Sequence, residues 1–399
     1  MRTHKLRTRP THKEGKAFAH LKFFVSLAIA SVATIYPNFI KEILGNDSKV
    51  GIFYSLIALL SLFVTLYSTQ IFQRFKRVGI VNLTLSISIG VYIILTAISS
   101  FSTLIPIEIF RIFSIVLIGL SITLFMRDFS KEEELGEAEG ELFVFDNLGY
   151  LIGPLLAGFL AYKYGFDSVF FLAALLSLIA YSYFNHQYFV KKHKHIKNKV
   201  SLPKGNLKLN MKDFFSKKEN IKSFIVKFGL EYWWASFYFY VPLFIVNLGF
   251  KHNIVGLIVG ATVIPLIILE MFVGRIADKR GYKKLFISGF FLLAIIISLI
   301  PIINNKIASL GILILTSFAV TMIEPIQDIH FFKSNEKKEE DRLFGVLMLS
   351  FPLAEILAPS IAAISIILFG ANSVWYGVAV ISIIAGIASL TLKEVKNEK

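Results

Sequence analysis

The chain has 399 residues, 55% of them hydrophobic and 17% charged, with a mean hydropathy of +0.67 and a formal net charge of +15. Soluble domains carry about 25% charged residues, so this composition excludes a soluble globular fold. The absence of cysteine excludes disulfides, thiolate metal centres and a cysteine nucleophile.

An apolar run of about 20 residues crosses the ~30 Å hydrocarbon layer as a helix, and a helix satisfies its own backbone groups, as lipid demands. Twelve such spans are predicted, near residues 21–41, 50–71, 78–100, 105–126, 141–162, 168–190, 221–247, 254–273, 285–303, 308–331, 343–369 and 374–392. The first is longer than a signal-peptide core and eleven others follow, so it is read as retained. Pro37 in span 1 predicts a bend. Span 4 holds Glu108 and Arg111, three residues apart and so on one helix face; a proton relay and a local ion pair are the two readings. Span 5 holds Asp146 and then Gly149-x-x-x-Gly153-Pro154-x-x-Ala157-Gly158, small residues at a spacing that lets helices approach closely.

A polar, lysine-rich stretch, 191–220, follows span 6. Span 7 places Lys227 one turn before Glu231, where the two can pair, and then crowds Tyr232, Trp233, Trp234, Phe237, Tyr238, Phe239 and Tyr240 together. Trp234 and Tyr238 are expected on the side of Lys227 and Glu231. An aromatic wall beside a carboxylate suits an amphipathic or cationic organic solute; an aromatic belt with core packing is the other reading. Pro242 repeats the bend of Pro37. Between spans 8 and 9 lies GRIADKRGYKK, residues 274–284, a charged turn between two oily segments. Glu270, Glu324 and Asp328 fall toward the ends of their spans, where snorkelling and gate pairing are expected. Glu355 lies roughly 18 Å into span 11 and Glu231 roughly 15 Å into span 7, at 1.5 Å per residue. An ionisable group so deep is costly and marks a functional site. His186 and His330 are assigned no role.

Lysine and arginine set the orientation. With the N-terminus in the cytoplasm, most of the 42 Lys and Arg fall on the tails and inward loops. The outward loops hold Lys41, Lys49, Lys163, Lys251 and Lys306. That asymmetry places both termini inside, in the plasma or inner membrane. It also assigns the net charge to topology and anionic lipid rather than to nucleic acid, because no soluble basic domain is present.

An internal repeat divides the chain. At an offset of 205 residues Lys22 falls on Lys227, and Pro37-Asn38-Phe39-Ile40 falls on Pro242-Leu243-Phe244-Ile245. At the same offset Val50-Gly51 meets Val255-Gly256, Gly153-Pro154 meets Ala358-Pro359, and the Gly165–Phe171 stretch meets Gly370–Tyr376. The expected fold is therefore all-α and integral to the membrane: twelve transmembrane helices in two six-helix parallel-repeat halves, 1–190 and 221–399, joined by a basic linker at 191–220.

This plan resembles the major facilitator superfamily over nearly the whole chain. The family carries Gly-x-x-x-Asp-(Arg/Lys)-x-Gly-(Arg/Lys)-(Arg/Lys) between spans 2 and 3, often repeated between spans 8 and 9. Gly274, Asp278, Lys279, Gly281 and Lys283, with Arg275 between them, match it, while Tyr282 departs. The resemblance implies a cytoplasmic latch, with Gly274 allowing close helix approach and Gly281 a tight turn. In the first half the copy has decayed to Arg74 and Arg77, with Gln73 and Thr69 replacing the acid and the glycine. Asp128 stands where similar proteins place an acidic partner for the arginine. Gly149, Gly153, Pro154 and Gly158 resemble the family's antiporter motif, which packs span 5 on span 8. Arg111-x-x-Ser with Gly119 loosely resembles a proton-relay pattern.

The resemblance implies a secondary transporter working by alternating access, with outward exchange of a small organic solute for protons as the leading reading. Uptake or symport, or a non-transporting membrane sensor, are the alternatives. The sequence lacks His-Glu-x-x-His, Gly-x-Ser-x-Gly and phosphate-loop motifs, so no enzyme activity, cofactor or metal is expected. Glu355 leads the coupling candidates, then Glu231, with Arg111, Glu108, Asp146, Lys227, Trp234 and Tyr238 around them. The partners expected are the solute, protons and the bilayer, with a monomer as the working unit.

Overall fold

Apolar runs broken by short polar turns yield helices here, and a computed structural model describes residues 12–129, 135–187 and 207–393. Among the described residues every regular element is helical. The first half is α1 (His12–Leu44), α2 (Asp47–Arg74), α3 (Arg77–Leu95), α4 (Phe101–Phe129), α5 (Leu135–Tyr164) and α6 (Phe166–His186). A short α7 (Leu207–Ser216) precedes the second half: α8 (Lys218–Asn247), α9 (His252–Arg280), α10 (Lys283–Ser298), α11 (Lys306–Thr321), α12 (Ile329–Ser334), α13 (Lys337–Leu347), α14 (Ser350–Phe369) and α15 (Ser373–Leu390). Ten spans among the described residues are long and apolar enough to cross a bilayer. The other two expected spans are α8, whose charges and tyrosines lower its hydropathy, and α10, which is 16 residues long.

Local chemistry explains where helices start and stop. The Asn46 side chain accepts the backbone N–H of Lys49 at 2.9 Å and caps α2. Five turns, at Gly45, Gly165, Gly249, Gly281 and Gly370, use a positive φ that only glycine adopts cheaply.

Two expected spans are not continuous. Span 10 ends as a helix at Thr321, passes through a 3-10 turn at Glu324–Ile326 and resumes at Ile329. Span 11 breaks after Leu347 and restarts at Ser350. Each break sits just before a proline, Pro325 and Pro352. A proline ring clashes with the carbonyl four residues earlier and offers no N–H, which stops the preceding helix near Thr321 and Met348. The charged stretch 274–284 is also more helical than expected: α9 runs through it to Arg280, and Gly281 and Tyr282 alone interrupt the two helices.

The expected linker contains structure as well. Phe214 of α7 is wholly buried among Phe331, Leu343, Val346 and Leu347, beside α12 and α13. One buried aromatic in a polar run is too weak a pattern to read from sequence.

The two halves meet through equivalent helices. The second helix of each half crosses the fifth of the other: α2 packs on α14, and α5 on α9. The first helices of both halves, α1 and α8, also touch. Both described chain ends lie at one end of the bundle, the terminal face. The α1–α2 and α8–α9 turns lie at the other, the distal face.

Candidate functional site

The repeat becomes physical at the helix crossings. A Cβ built on Gly256 of α9 would collide with the carbonyl oxygen of Pro154 on α5, and one on Gly158 would lie 2.7 Å from the His252 carbonyl and 2.8 Å from the Gly256 Cα. In the equivalent crossing a Cβ on Gly51 of α2 would lie 2.8 Å from the Pro359 carbonyl of α14. Gly149 and Gly153 face the other way, with their nearest neighbours on α1 at Ser26, Leu27, Ala30 and Ser31. So α5 is wedged between α1 and α9. Gly274 differs from the expectation: a Cβ there would meet nothing within 4 Å, so in this conformation it permits no close approach.

Polar contacts join the halves toward the distal face. Lys41 Nζ lies 2.7 Å from Asp47 and donates to Asn247 at 2.5 Å, and Asn247 donates back to Asp47 at 2.6 Å. Asn38 donates to the Pro242 carbonyl at 3.2 Å, at one of the two paired bends. The Ser360 hydroxyl donates to that of Ser55 at 2.8 Å.

Further toward the terminal face the halves meet through aromatic rings. Tyr150 of α5 and Tyr238 of α8 have centroids 5.7 Å apart, and Tyr238 stacks on Trp234 at 5.7 Å. The expected shared face of Trp234 and Tyr238 is present, and it reaches the other half. Three acidic groups, Asp146, Glu324 and Glu355, lie near these rings. Asp146, Glu231, Glu270 and Glu355 each lie roughly 21–27 Å along their helices from the distal end, at 1.5 Å per residue, and Glu324 follows the end of α11 at Thr321. Glu355 and Asp146 lie within electrostatic reach of Tyr150, and Glu324 within reach of Tyr238.

The equivalent lysines of the repeat each pair inside their own half. Lys22 lies 3.2 Å from Asp146, which also accepts the Ser26 hydroxyl. Lys227, buried, bonds Asp328 at 3.0 Å and Gln327 at 2.9 Å, and is farther from Glu231, 3.7 Å. Its expected partner is therefore the weaker one, because the broken span 10 turns Asp328 toward it.

Glu108 and Arg111 form a bidentate pair at 2.7 and 2.8 Å. Tyr36 of α1 donates its hydroxyl to the same carboxylate, and the guanidinium lies 4.3 Å from the Tyr36 ring centre. Glu108 is 3% exposed, so this is a buried, satisfied triad rather than a surface pair.

At the terminal face Arg74 is exposed and Arg77 is buried, donating to the Leu124 carbonyl at 3.3 Å. Arg275 and Lys279 are exposed, and Lys283 opens α10. The side chains of Asp128 and Asp278 lie outside the described ones. The residue that departs from the family pattern is the anchor of the turn: Tyr282 is 1% exposed, with Phe286 and His330 beside its ring, and it donates to the Lys393 carbonyl at 3.2 Å. His330, assigned no role from sequence, is buried, with Nδ1 2.6 Å from the Ser223 hydroxyl and Nε2 3.2 Å from Glu219. Neither could be found by spacing, since their hydrogen-bond and ion-pair partners Lys393, Ser223 and Glu219 are more than 100 residues away. Among the described residues no group of three or more His, Asp or Glu could hold a metal ion.

Comparison with known proteins gives one answer at every level. A family model described as Major Facilitator Superfamily matches residues 18–327 and 224–399. A "Multi-drug resistance efflux pump PmrA homolog" of Lactococcus lactis is 27% identical over 248 residues, 58% of this chain and 57% of that protein. An uncharacterized MFS-type transporter of Methanocaldococcus jannaschii is 28% identical over 164 residues, 40% of this chain and 41% of that protein. The matches thus span about half the length of these curated relatives. Among solved structures, the nucleoside transporter NupG superposes with a TM-score of 0.75 at 13% identity, covering 95% of this chain and all of that one. The peptide transporter POT in complex with sulfate superposes with a TM-score of 0.74 at 13% identity, covering 98% and 95%. At such identity the likeness is one of fold.

Proposed function

Since the chain belongs to the major facilitator superfamily, we propose that it moves a small organic solute across the membrane by alternating access, outward and in exchange for protons. The observation that carries this reading is the set of Asp146, Glu324 and Glu355 around the Tyr150–Tyr238 contact between the halves, with Glu231 and Glu270 near Glu324. Such groups are costly in a bilayer and are kept where a pathway or relay uses them. Proton coupling needs a carboxylate that changes partner between states; Glu355 is the first candidate and Glu231 the second. Outward direction draws on the efflux pump of Lactococcus lactis and on the tight α5–α9 crossing, which resembles the antiporter packing of the family. The lysine and arginine asymmetry favours a cytoplasmic terminal face in the plasma or inner membrane, and two halves in one chain favour a working monomer. In the same reading the turn at Gly281, with Asp278 and Arg74, Arg77 and Asp128 of the other half, latches the terminal face.

The test uses protein in liposomes holding a pH dye. Under an imposed proton gradient, panels of organic cations, neutral drugs, sugars and carboxylates are added to wild type, Glu355→Gln and Asp278→Asn. Solute-dependent proton movement lost in Glu355→Gln is the expected result. Solute movement without proton movement overturns the coupling, and solute and protons moving in the same direction support symport instead.

A further inference from the structure

The α9–α10 turn is tied to residues near the end of the chain. After α15 stops at Leu390, Leu392 is buried in the same core as Tyr282 and Phe286. The backbone on either side of it is bonded from three directions. The Thr391 carbonyl accepts Lys222 Nζ of α8 at 2.7 Å. The Glu219 carboxylate of α8 accepts the Lys393 N–H. The Lys393 carbonyl accepts the Tyr282 hydroxyl at 3.2 Å. His330 of α12 stands beside them, 3.2 Å from Glu219 and next to the Tyr282 ring. Residues 391–393 therefore form a strap where α8, α12, α15 and the turn meet.

The internal repeat supplies an independent comparison. The 205-residue offset puts Arg77 on Tyr282. Arg77 is also buried, and it also donates to a main-chain carbonyl, that of Leu124 on α4, at 3.3 Å. Each half thus anchors its charged turn through a buried donor on a backbone acceptor, as buried carbonyls require. The acceptors differ. The first half uses a helix of the bundle and the second half uses the strap. A tyrosine suits the second case, since its ring fills an apolar site and its hydroxyl takes one partner.

We propose that Tyr282 and the strap are positioning elements of the terminal-face latch: they hold the α9–α10 turn to the head of α8, so that its charges meet the first half in fixed register. The proposal rests on the latch reading above and adds to it residues outside the charged motif. It uses the backbone of Lys393 and not its side chain.

The experiment measures distances between spin labels in full-length protein in detergent. The chain has no cysteine, and Lys76, Lys218 and Lys284 are exposed, so each takes a label as a cysteine. The Lys218→Cys and Lys284→Cys pair reads the turn against the head of α8. The Lys76→Cys and Lys284→Cys pair reads it against the first half. Tyr282→Phe keeps the ring and removes the hydroxyl, and Lys393→Pro removes the N–H that Glu219 accepts. Combined, they are expected to broaden the first distance and to shift the second toward longer values. Lys393→Ala, which keeps the backbone, is expected to match wild type in both. An unchanged first distance overturns the strap, even where thermal melting shows lost stability, because a merely structural bond would lower melting alone. A changed first distance with an unchanged second overturns the link to the latch. Broadening in Lys393→Ala equal to that in Lys393→Pro overturns the assignment to the backbone. No solute or gradient is used, so failure here and failure of transport in liposomes are separate results.

Discussion

Arg111 and Glu108 show how much a single buried group depends on its partners. The carboxylate has three bonds, two from Arg111 and one from Tyr36. Tyr36→Phe removes one bond and leaves the ion pair, so a loss of about 1 kcal/mol is expected. Arg111→Leu leaves a buried carboxylate without its cation, and about 3–5 kcal/mol is expected. Thermal or denaturant unfolding in detergent ranks the two, and equal losses would contradict the triad. At the terminal face burial alone would raise the Glu219 carboxyl, but the bond and charge of Lys222, with His330 behind it, outweigh burial and hold it below the usual carboxylate range. A carboxyl depressed in the folded state adds stability above its unfolded value and loses it as pH falls through the folded one. Wild type is therefore expected to melt above Lys222→Met at pH 7, with the gap closing on acidification below roughly pH 4.

Two helices carry contrasts that test the packing directly. Gly256 and Gly274 both lie on α9, but a side chain at the first collides with α5 and one at the second meets open space. Gly256→Leu is expected to abolish folding or transport, and Gly274→Leu to leave stability within about 0.5 kcal/mol, as for surface positions. Comparable damage at both would remove the crossing from the argument. The α9–α10 turn gives the opposite lesson. Tyr282→Lys restores the family pattern, yet it places an ammonium where a buried ring packs on Phe286 and beside His330. A loss of about 3 kcal/mol or more is expected, on the scale of deleting a buried aromatic. The sequence offered Tyr282 as a defect in a motif; its neighbours make it the anchor.

The whole molecule is held by contacts that alternate with the repeat. The α5–α9 and α2–α14 crossings are related by the 205-residue offset, Gly256 on Pro154 and Gly51 on Pro359. The Lys41–Asp47–Asn247 network adds a polar clasp at the distal face. If the halves rock, this clasp opens while the terminal face closes. The chain has no cysteine, so Lys41→Cys with Asn247→Cys gives the only thiol pair in the protein. A short bifunctional thiol reagent is expected to link the pair and stop solute movement in liposomes, and a reductant-cleavable reagent to allow its recovery. Linked protein that still transports at the wild-type rate would show that the clasp does not open.

The sequence by itself determined the class of this protein. Twelve apolar spans, the lysine and arginine asymmetry and the 205-residue offset are properties of composition and period, and they require no knowledge of which helix touches which. Gly281 was legible because a positive φ follows from residue type, and the Glu108–Arg111 pair because three-residue spacing fixes a helix face. Only the tertiary structure decided the rest. Prolines 325 and 352 break their helices while prolines 37, 106, 154, 242, 265 and 359 lie within theirs, so residue type alone does not say where a span breaks. Lys227 chose Asp328 over Glu231, and Glu324 moved from an expected gate to the side of Trp234, because the break in span 10 redirects its backbone. Such partners lie about a hundred residues apart in the chain, and no local period encodes a contact of that range.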